Sequence, residues 1–170
     1  MTPPESPLAG EVRLRPMRWW DIPAVLELEH DLFPEDSWSE GMFWSELAHT
    51  RGARASRYYV VAQDRSGRLL GYAGLGAPAD QGDVLTIAAA RSTWGGGLGP
   101  RLLHDLLDAA AARGCTEVLL DVRADNPRAQ RMYERFGFKE IGVRRGYYQP
   151  ANVDALVMRR EMNGKEETYG

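Results

Sequence analysis

The sequence predicts an α/β fold in which one mixed β-sheet, partly antiparallel, carries helices on both faces. Three strand-like segments follow one another between residues 57 and 89, which is typical of antiparallel pairing. Two helical segments then each connect one strand to the next, as crossover helices do. The 170 residues are enough for one such domain and leave little room for a second.

The first part of the chain predicts one strand and two helices. Glu11–Arg15 alternates between polar and apolar side chains, as a half-buried strand does, and Pro16 closes it. Asp21 is a suitable N-cap for a helix whose apolar residues recur at helical spacing as far as Pro34, and Ser39 is a suitable N-cap for a second helix. We expect core or lid packing for the tryptophans of this region, which are Trp19, Trp20, Trp38 and Trp44.

The middle of the chain predicts three strands with short connections. Arg57–Gln63 and Leu69–Leu75 are rich in β-formers and flank the polar turn Asp64–Gly67, which is the pattern of a hairpin. A loop over Pro78–Gly82 leads to a third strand over Val84–Ala89.

The second half predicts two helices and three strands. After a glycine-rich loop, leucines and alanines at helical spacing predict a long helix that ends at Gly114. The remaining segments are a strand over Thr116–Val122, a helix over Asn126–Phe136, and strands over Lys139–Val143 and Val153–Arg160.

Composition bounds the domain and excludes several classes of protein. The domain is expected to span residues 11–162, between a loose, acidic, Pro-rich arm at residues 1–10 and a polar tail at residues 163–170. Lys+Arg is 21 and Asp+Glu is 24, and this net charge of −3 argues against a general nucleic-acid binder. No apolar run approaches the roughly 18 residues of a membrane span, and the arm lacks the apolar stretch of a signal peptide.

The single cysteine and the three histidines indicate neither a disulfide nor a metal site. Cys115 has no partner for an internal disulfide, which fits a reducing compartment, so we expect a cytoplasmic protein with a buried structural cysteine. The histidines are scattered and show no metal-ligand spacing, so no metal is expected.

The glycine-rich loop is the clearest functional pattern. Residues 95–99 include four glycines, which let backbone N–H groups approach an anion, and the helix that follows adds unpaired N–H groups. A Walker loop is excluded because no Gly-Lys-Ser/Thr follows. A dinucleotide fingerprint lacks its third glycine, because Pro100 stands there, although Asp121 lies near the distance expected of a ribose-binding acid. A loop that is only a turn is a further alternative, although four glycines exceed what a turn needs.

Several blocks, in the right order, resemble the GNAT-fold N-acetyltransferases over roughly residues 12–160. The glycine loop and the Tyr-Glu-Arg-Phe-Gly-Phe block at residues 133–138 are typical of the superfamily. The Trp-Ser-Glu block at residues 38–40 and the Arg-Arg-Gly-Tyr-Tyr block at residues 144–148 resemble its bacterial ribosomal-protein-alanine N-acetyltransferases, the RimI type. The resemblance implies a GNAT fold, in which the mixed central sheet is splayed open at a cofactor cleft.

The resemblance also implies that acetyl-coenzyme A is the acetyl donor. Its pyrophosphate would lie on backbone amides of the glycine loop, and its pantetheine would lie along a strand where two neighbours part. Trp94 stands where the family usually has Gln or Arg, and Gly96 stands where a basic residue is common, so side-chain donors to phosphate are missing. The implied donor-binding residues are Ile87, Ala88, Ala89, Trp94, Gly95, Gly96, Gly97, Leu98, Gly99, Asn126 and Tyr133.

Acyl transfer to an amine needs a base for the amine and an acid for the departing thiolate. The resemblance assigns the base to Asp121, where the family often has glutamate, and the shorter side chain calls for a bridging water. It assigns the acid to Tyr133. Glu117 and Asp125 are weaker candidates for the base, and an ion pair between Asp121 and Arg123 or another arginine is the structural alternative.

The acceptor groove is expected near Tyr147, Tyr148 and Asp154, with Phe33 and Trp38 on the other wall. A carboxylate there could hold a protonated amine before transfer, and the aromatic pair could shape a pocket for the terminal side chain. Ordinary packing of the tyrosines on a hairpin is the alternative.

The leading hypothesis is an enzyme that acetylates the N-terminal α-amine, with alanine as the first residue, of a small-subunit ribosomal protein. An acetyltransferase for lysine or small-molecule amines is the alternative within the superfamily. A non-catalytic sensor of acyl-coenzyme A on the same fold is a third hypothesis, to which the aspartate at position 121 gives some weight. We expect a monomer or weak dimer without nucleic-acid or membrane partners.

Overall fold

Seven strands and four helices make up residues 11–162, the part of the chain that the computed structural model describes. The expected arm and tail, residues 1–10 and 163–170, lie outside the described residues. The elements are β1 (Arg13–Pro16), α1 (Ile22–Leu32), α2 (Glu40–Leu47), β2 (Arg57–Gln63), β3 (Leu69–Gly76), β4 (Gln81–Ala89), α3 (Leu98–Ala112), β5 (Glu117–Arg123), α4 (Pro127–Arg135), β6 (Lys139–Tyr148) and β7 (Val153–Glu161).

The strands form one mixed sheet in the order β1-β2-β3-β4-β5-β7-β6. Every neighbouring pair is antiparallel except β4 and β5, which run parallel because α3 carries the chain from one to the other. This confirms the predicted mixed, partly antiparallel sheet. The one parallel pair lies at the centre of the sheet, where the glycine loop and α3 begin.

Two apolar cores confirm that helices cover both faces. On one face, the leucines of α3 and Tyr133 of α4 pack on the even-numbered residues of β5. On the other face, α1 and α2 pack on β2 and β3, with Phe43, Tyr59 and Tyr72 as the large side chains. Residues paired across the strands share a face, so odd-numbered residues of β5 lie on the side of α1 and α2.

Several predicted strand ends differ from the observed ones, those of β1, β4 and β6 among them. β1 includes Pro16, which an edge strand tolerates because the missing N–H faces no partner strand. β4 begins at Gln81, within the segment predicted as a loop, and β6 continues to Tyr148, well beyond its predicted end. The register of β6 shifts between Arg144 and Tyr148, and such an irregularity interrupts the alternation that sequence patterns depend on.

The helix starts agree only in part with the predicted caps. Ser39 caps α2, because its Oγ accepts a hydrogen bond from Met42 N at 3.2 Å. Asp21 precedes α1 but makes no side-chain cap. Its carboxylate instead accepts two hydrogen bonds from Arg15 at 2.8 Å and one from Arg18 N at 2.8 Å. Asp21 therefore fastens β1 to the start of α1.

Of the four tryptophans expected to pack in the core or in a lid, Trp38 packs on a core and the other three are largely exposed. Trp38 is half-buried beside Phe43, but Trp19 is 58% exposed, Trp20 57% and Trp44 46%. Trp19 stacks on Trp44 with ring centroids 6.1 Å apart. These rings share a surface because a short turn brings residues 19–21 beside α2, which sequence spacing does not reveal.

Residues 11–162 contain no helix long and apolar enough to cross a membrane. Cys115 is buried and free, and burial raises the pKa of its thiol, as expected of a structural cysteine.

Candidate active site

The central opening of the sheet lies between β4 and β5. Their ladder consists of the pairs from Gln81–Glu117 to Asp83–Leu119, yet both strands continue beyond it. From this point the strands diverge, which agrees with the splayed cleft expected from the sequence. A bulge accompanies the divergence, since Thr86 pairs with Gly74 and Val84 with Leu75, so that Leu85 has no partner on β3.

The glycine loop lies at the end of β4 and opens onto α3. Gly95 and Gly97 both have φ of +85°, a conformation that side chains with a Cβ disfavour, and open space lies where a Cβ would stand. Gly96 N donates to Thr93 O at 3.0 Å, so this amide is not available to a ligand. Among residues 11–162, the N–H groups of Gly95, Gly97 and Gly99 donate to no backbone carbonyl. The loop therefore has the donors that a pyrophosphate needs.

The other expected donor-site residues differ in what they can offer. Leu98 is 5% exposed and its side chain belongs to the core, so only its backbone faces the loop. Ala88 is buried opposite Tyr72, and Ile87 packs on the core. The Asn126 carboxamide caps α4, since its Oδ1 accepts from Ala129 N at 3.2 Å, which leaves its amide hydrogens for a ligand.

Trp94 lies beside the glycine loop, and two guanidinium groups lie against its ring. Its Nε1 donates to Ala89 O at 2.9 Å, so the indole is fixed against the end of β4. The guanidinium of Arg128 lies 4.4 Å from the ring centroid, and that of Arg91 lies 5.3 Å away. Positive charge is therefore present beside the loop even though the loop itself carries no basic side chain.

Asp121 lies on β5 at the level where the strands have parted, on the face of α1 and α2. Its Oδ1 accepts from Arg144 Nε at 3.1 Å, so the ion pair considered as an alternative exists, with Arg144 and not with Arg123. Among the described residues its Oδ2 accepts no hydrogen bond. A carboxylate oxygen thus remains free to take a proton.

Tyr133 lies on α4, below the opening and on the opposite face from Asp121. It is 5% exposed, with its ring 5.9 Å from that of Phe138. Burial raises the pKa of the Tyr133 hydroxyl, and the nearby Tyr148 raises it further. The group therefore keeps its proton at neutral pH, which is the state that a proton donor requires.

Tyr148 is the last residue of β6 and is half-buried. Burial raises the pKa of its hydroxyl to about 12, with Asp121 as the strongest charged neighbour. Its ring lies under the guanidinium of Arg123 at 5.3 Å and meets the ring of Tyr147 edge-on at 5.1 Å. Tyr148 therefore lies within electrostatic range of both Asp121 and Tyr133, although these two residues lie on opposite faces of the sheet.

The segment between α1 and α2 lies where the second wall of the acceptor groove is expected, across from Tyr147 and Tyr148. Arg123 Nη1 lies 3.8 Å from Asp36 in that segment, so an ion pair joins the two walls. The half-buried Phe33 and Trp38 pack on the core beneath α1 and α2. Trp38 N donates to the buried carboxylate of Glu29 at 3.0 Å, and Tyr72 OH donates to the other oxygen of that carboxylate.

Asp154, expected to hold the acceptor amine, has a structural partner. Its Oδ1 accepts from Gly146 N at 2.8 Å, which ties the end of β6 to the start of β7. The register places Asp154 on the opposite face from Ala155 and Arg123. The carboxylates whose charges raise the pKa of the Tyr148 hydroxyl are Asp121 and Asp36.

The weaker candidates for the base are held by arginines. Glu117 accepts a hydrogen bond from Arg159 Nε, and Asp125 binds Arg123 through both of its oxygens. Both oxygens of Asp125 are occupied, and Glu117 lies where β4 and β5 are still paired, before the opening.

Asp83 is a site residue that the sequence did not reveal. It pairs with Leu119, so it shares a face with Asp121, and it is half-buried. Burial raises the pKa of its carboxyl, and the negative charges of Asp121 and Glu117 raise it further. Extending the predicted strand back to Gln81 would have placed Asp83 beside Asp121, but Pro78 and Gly82 favoured a loop.

Comparison with known proteins is consistent with this geometry. The model of the acetyltransferase (GNAT) family matches residues 22–138. The chain is 39% identical over 146 residues to the N-alpha-acetyltransferase RimI of Mycobacterium tuberculosis, covering 83% of this chain and 87% of that protein. It is 32% identical over 142 residues to the [ribosomal protein bS18]-alanine N-acetyltransferase of Salmonella typhimurium, covering 81% of this chain and 89% of that protein.

Among solved structures, the crystal structure of the ribosomal-protein-S18-alanine N-acetyltransferase from Escherichia coli superposes with a TM-score of 0.75. The two are 27% identical, and the match covers 93% of this chain and 99% of that one. The fold is therefore shared with that enzyme over nearly its whole length.

Proposed function

The chain belongs to the acetyltransferase (GNAT) family, and from this premise we propose that it acetylates the N-terminal α-amine of a ribosomal protein whose first residue is alanine. The observation that carries the proposal is the placement of Asp121 and Tyr133 on the two faces of the sheet where β4 and β5 part, with the free amides of the glycine loop beyond the end of β4. The relatives named for alanine acetylation of bS18 support the choice of acceptor.

The residues present fit acetyl-coenzyme A as the donor. The free amides of Gly95, Gly97 and Gly99 would hold its pyrophosphate, and β4 beyond Asp83 would lie along its pantetheine arm. When bound, acetyl-coenzyme A supplies a thioester whose acyl carbon accepts the amine and whose thiolate leaves.

Asp121 is proposed as the base for the acceptor amine. An N-terminal α-amine has a pKa of about 7.7–8.0, against about 10.4 for lysine, so much of it is already neutral at working pH. The base then needs only to receive the proton that the amine loses as its nitrogen bonds to the acyl carbon. The free Oδ2 of Asp121 can do so, directly or through one water.

Tyr133 is proposed as the acid on the other face. Its raised pKa keeps the hydroxyl protonated, and it would give that proton to the departing sulfur as the carbon–sulfur bond breaks. Because the base and the acid lie on opposite faces, the acceptor and the donor can approach the opening from opposite sides.

The acceptor is proposed to enter between the segment of residues 33–39 and the tyrosines of β6. Asp36, Asp121 and Asp125 give this side negative charge, partly balanced by Arg123 and Arg144. A carboxylate beside the entrance favours a protonated N-terminus. Tyr147 is 53% exposed and is available for contact with the first side chain.

A peptide panel tests this function. The protein is mixed with acetyl-coenzyme A and either an alanine-initiated peptide or the same peptide with a blocked N-terminus and an internal lysine, and products are weighed by mass spectrometry. We expect one acetyl group on the free N-terminus and none on the blocked peptide. Acetylation of lysine alone would favour the alternative enzyme, and tight donor binding without any transfer would favour the sensor.

A further inference from the structure

An arginine-rich face of α4 lies beside the glycine loop. Arg128, Arg131 and Arg135 recur at a spacing of three and four residues, so they share one side of the helix. None of them forms an ion pair with a carboxylate among residues 11–162. Three arginines without carboxylate partners on a protein of net charge −3 form a local site for an anion.

Two contacts fix this face against the loop. Gly99, in the first turn of α3, lies so close to α4 that a Cβ there would stand 3.3 Å from the sulfur of Met132. The Trp94 indole, tied to β4 through Ala89 O, carries the guanidinium of Arg128 at 4.4 Å from its ring centroid. Arg128 is therefore oriented by the loop itself.

Arg128 and Arg91 differ in their charge balance. Both lie against Trp94, but Arg91 Nε pairs with Asp31 at 3.3 Å. Arg128 has its charge uncompensated among the described residues and exposed to solvent. It is thus the cation beside the loop that is best able to accept an additional anion.

Coenzyme A carries two kinds of phosphate. The free backbone amides of the loop suit the pyrophosphate, which leaves the 3′-phosphate monoester as the second anionic group. Arginine binds such a group through several parallel N–H donors. We propose that Arg128, positioned by Trp94, binds the 3′-phosphate and makes the protein select coenzyme A over its 3′-dephospho form. This rests on the proposed function, because both use the same donor.

The proposal also explains Trp94. The family resemblance leads to Gln or Arg at this position, either of which could donate to phosphate. Here the indole instead holds the guanidinium of Arg128, from α4, beside the loop. Trp94 is then a positioning residue, and Arg128 is the residue that contacts the 3′-phosphate.

Calorimetric titration of the full chain with coenzyme A and with 3′-dephospho-coenzyme A tests the proposal. We expect the wild type to bind coenzyme A about tenfold more tightly, as one charge-assisted contact provides. Arg128→Gln should reduce this ratio to near one by weakening coenzyme A alone, and Trp94→Leu should reduce it in part. Arg65→Gln, an exposed arginine in the β2–β3 turn, is the matched control and should keep the full ratio.

Equal binding of the two ligands by the wild type would overturn the proposal, and so would an Arg128→Gln variant that weakens both equally. Unfolding temperatures of the variants, compared with the wild type, identify any loss of fold. Failure of the proposed function would give a different pattern of results. In that case the wild type would discriminate between the ligands as expected but acetylate no alanine-initiated peptide.

Discussion

Tyr133 shows how one buried hydroxyl can combine packing with chemistry. Its ring belongs to the core below the sheet, while its hydroxyl, with a raised pKa, interacts with Tyr148 at the opening. The ring holds α4 in place whatever the hydroxyl does. Removing the oxygen alone therefore separates the two roles.

Tyr133→Phe should lower kcat about a hundredfold, the smaller end of what a positioned acid contributes, and leave the Kd for coenzyme A nearly unchanged. Steady-state kinetics and titration calorimetry measure the two quantities. Tyr58→Phe is the control, since it removes another partly buried hydroxyl, bound to Asp105 away from the opening, and should keep its turnover. A Tyr133→Phe enzyme with full kcat would exclude the acid role.

Asp121 is the proposed base, and its side chain is one methylene shorter than that of the glutamate expected there from the family resemblance. Asp121→Asn should lower kcat/KM about a hundredfold, because an amide cannot accept the proton. Asp121→Glu should retain activity, since the longer carboxylate reaches the amine without a water. Rates for both variants over a range of pH provide the check, and an Asp121→Asn variant as active as wild type at every pH would remove the assignment.

Predictions for single residues succeeded where the role of a residue depends only on its type and on its neighbours along the chain. The glycines that open the loop to an anion and the Ser39 cap of α2 are of this kind. The contact between Trp94 and Arg128 could not be predicted, because it joins residues of different elements whose approach depends on the packing of α3 against α4. Asp83 was missed because its strand begins within a segment rich in turn-forming residues.

At the scale of elements, Glu29 fastens the segment of residues 33–39, the proposed acceptor wall, to the sheet. It lies on α1, is 2% exposed, and accepts hydrogen bonds from Trp38 N on the wall and from Tyr72 OH on β3. Burial raises the pKa of its carboxyl more than these two hydrogen bonds lower it. Stability should therefore depend on the protonation of one internal group.

The direction of that dependence follows from the raised pKa. An unfolded glutamate titrates near pH 4.3, about its ordinary value, and the folded one titrates higher. The stabilising contribution of the proton is complete below the unfolded pKa and is lost as the pH rises through the folded pKa.

Glu29→Gln should consequently gain free energy of unfolding relative to wild type as the pH is raised across this interval. Urea denaturation over a series of pH values measures the difference. Glu27→Gln, an exposed position on the same helix, should show no such trend. A constant difference between Glu29→Gln and wild type would contradict the shift.

The order and type of the elements were predictable, since each strand and helix carries its own periodicity and its own caps. The first and last residues of these elements were less predictable. β6 extends to Tyr148 through an irregular stretch without alternation, and β4 starts early because pairing with β3 and β5 outweighs the local turn preference of its first residues.

At the scale of the whole molecule, two separate cores support the two sides of the site. Leu106 is fully buried below the sheet, and Phe43 is fully buried above it, where its ring lies 5.2 Å from that of Trp38. The upper core thus underlies the acceptor wall, while the lower core supports α3 and the glycine loop.

Leu106→Ala and Phe43→Ala should each lower the free energy of unfolding by about 3 kcal/mol or more, within a single cooperative transition. Phe43→Ala should also raise KM for the peptide, because Trp38 loses its support, whereas Leu106→Ala should leave that KM unchanged. Denaturant titration and steady-state kinetics measure these effects. Equal KM changes in both variants would argue against separate roles for the cores.

Beyond the point where β4 and β5 part, the edges of these two strands that face each other are unpaired, although each strand remains paired on its other side. Amide hydrogens in that gap exchange with solvent unless something protects them. We expect deuterium uptake over residues 84–99 to slow when coenzyme A is present and uptake over residues 57–63 to stay constant, as hydrogen-exchange mass spectrometry would measure. On this view the donor takes the place of a missing strand, and the sheet is complete only while its substrate is bound.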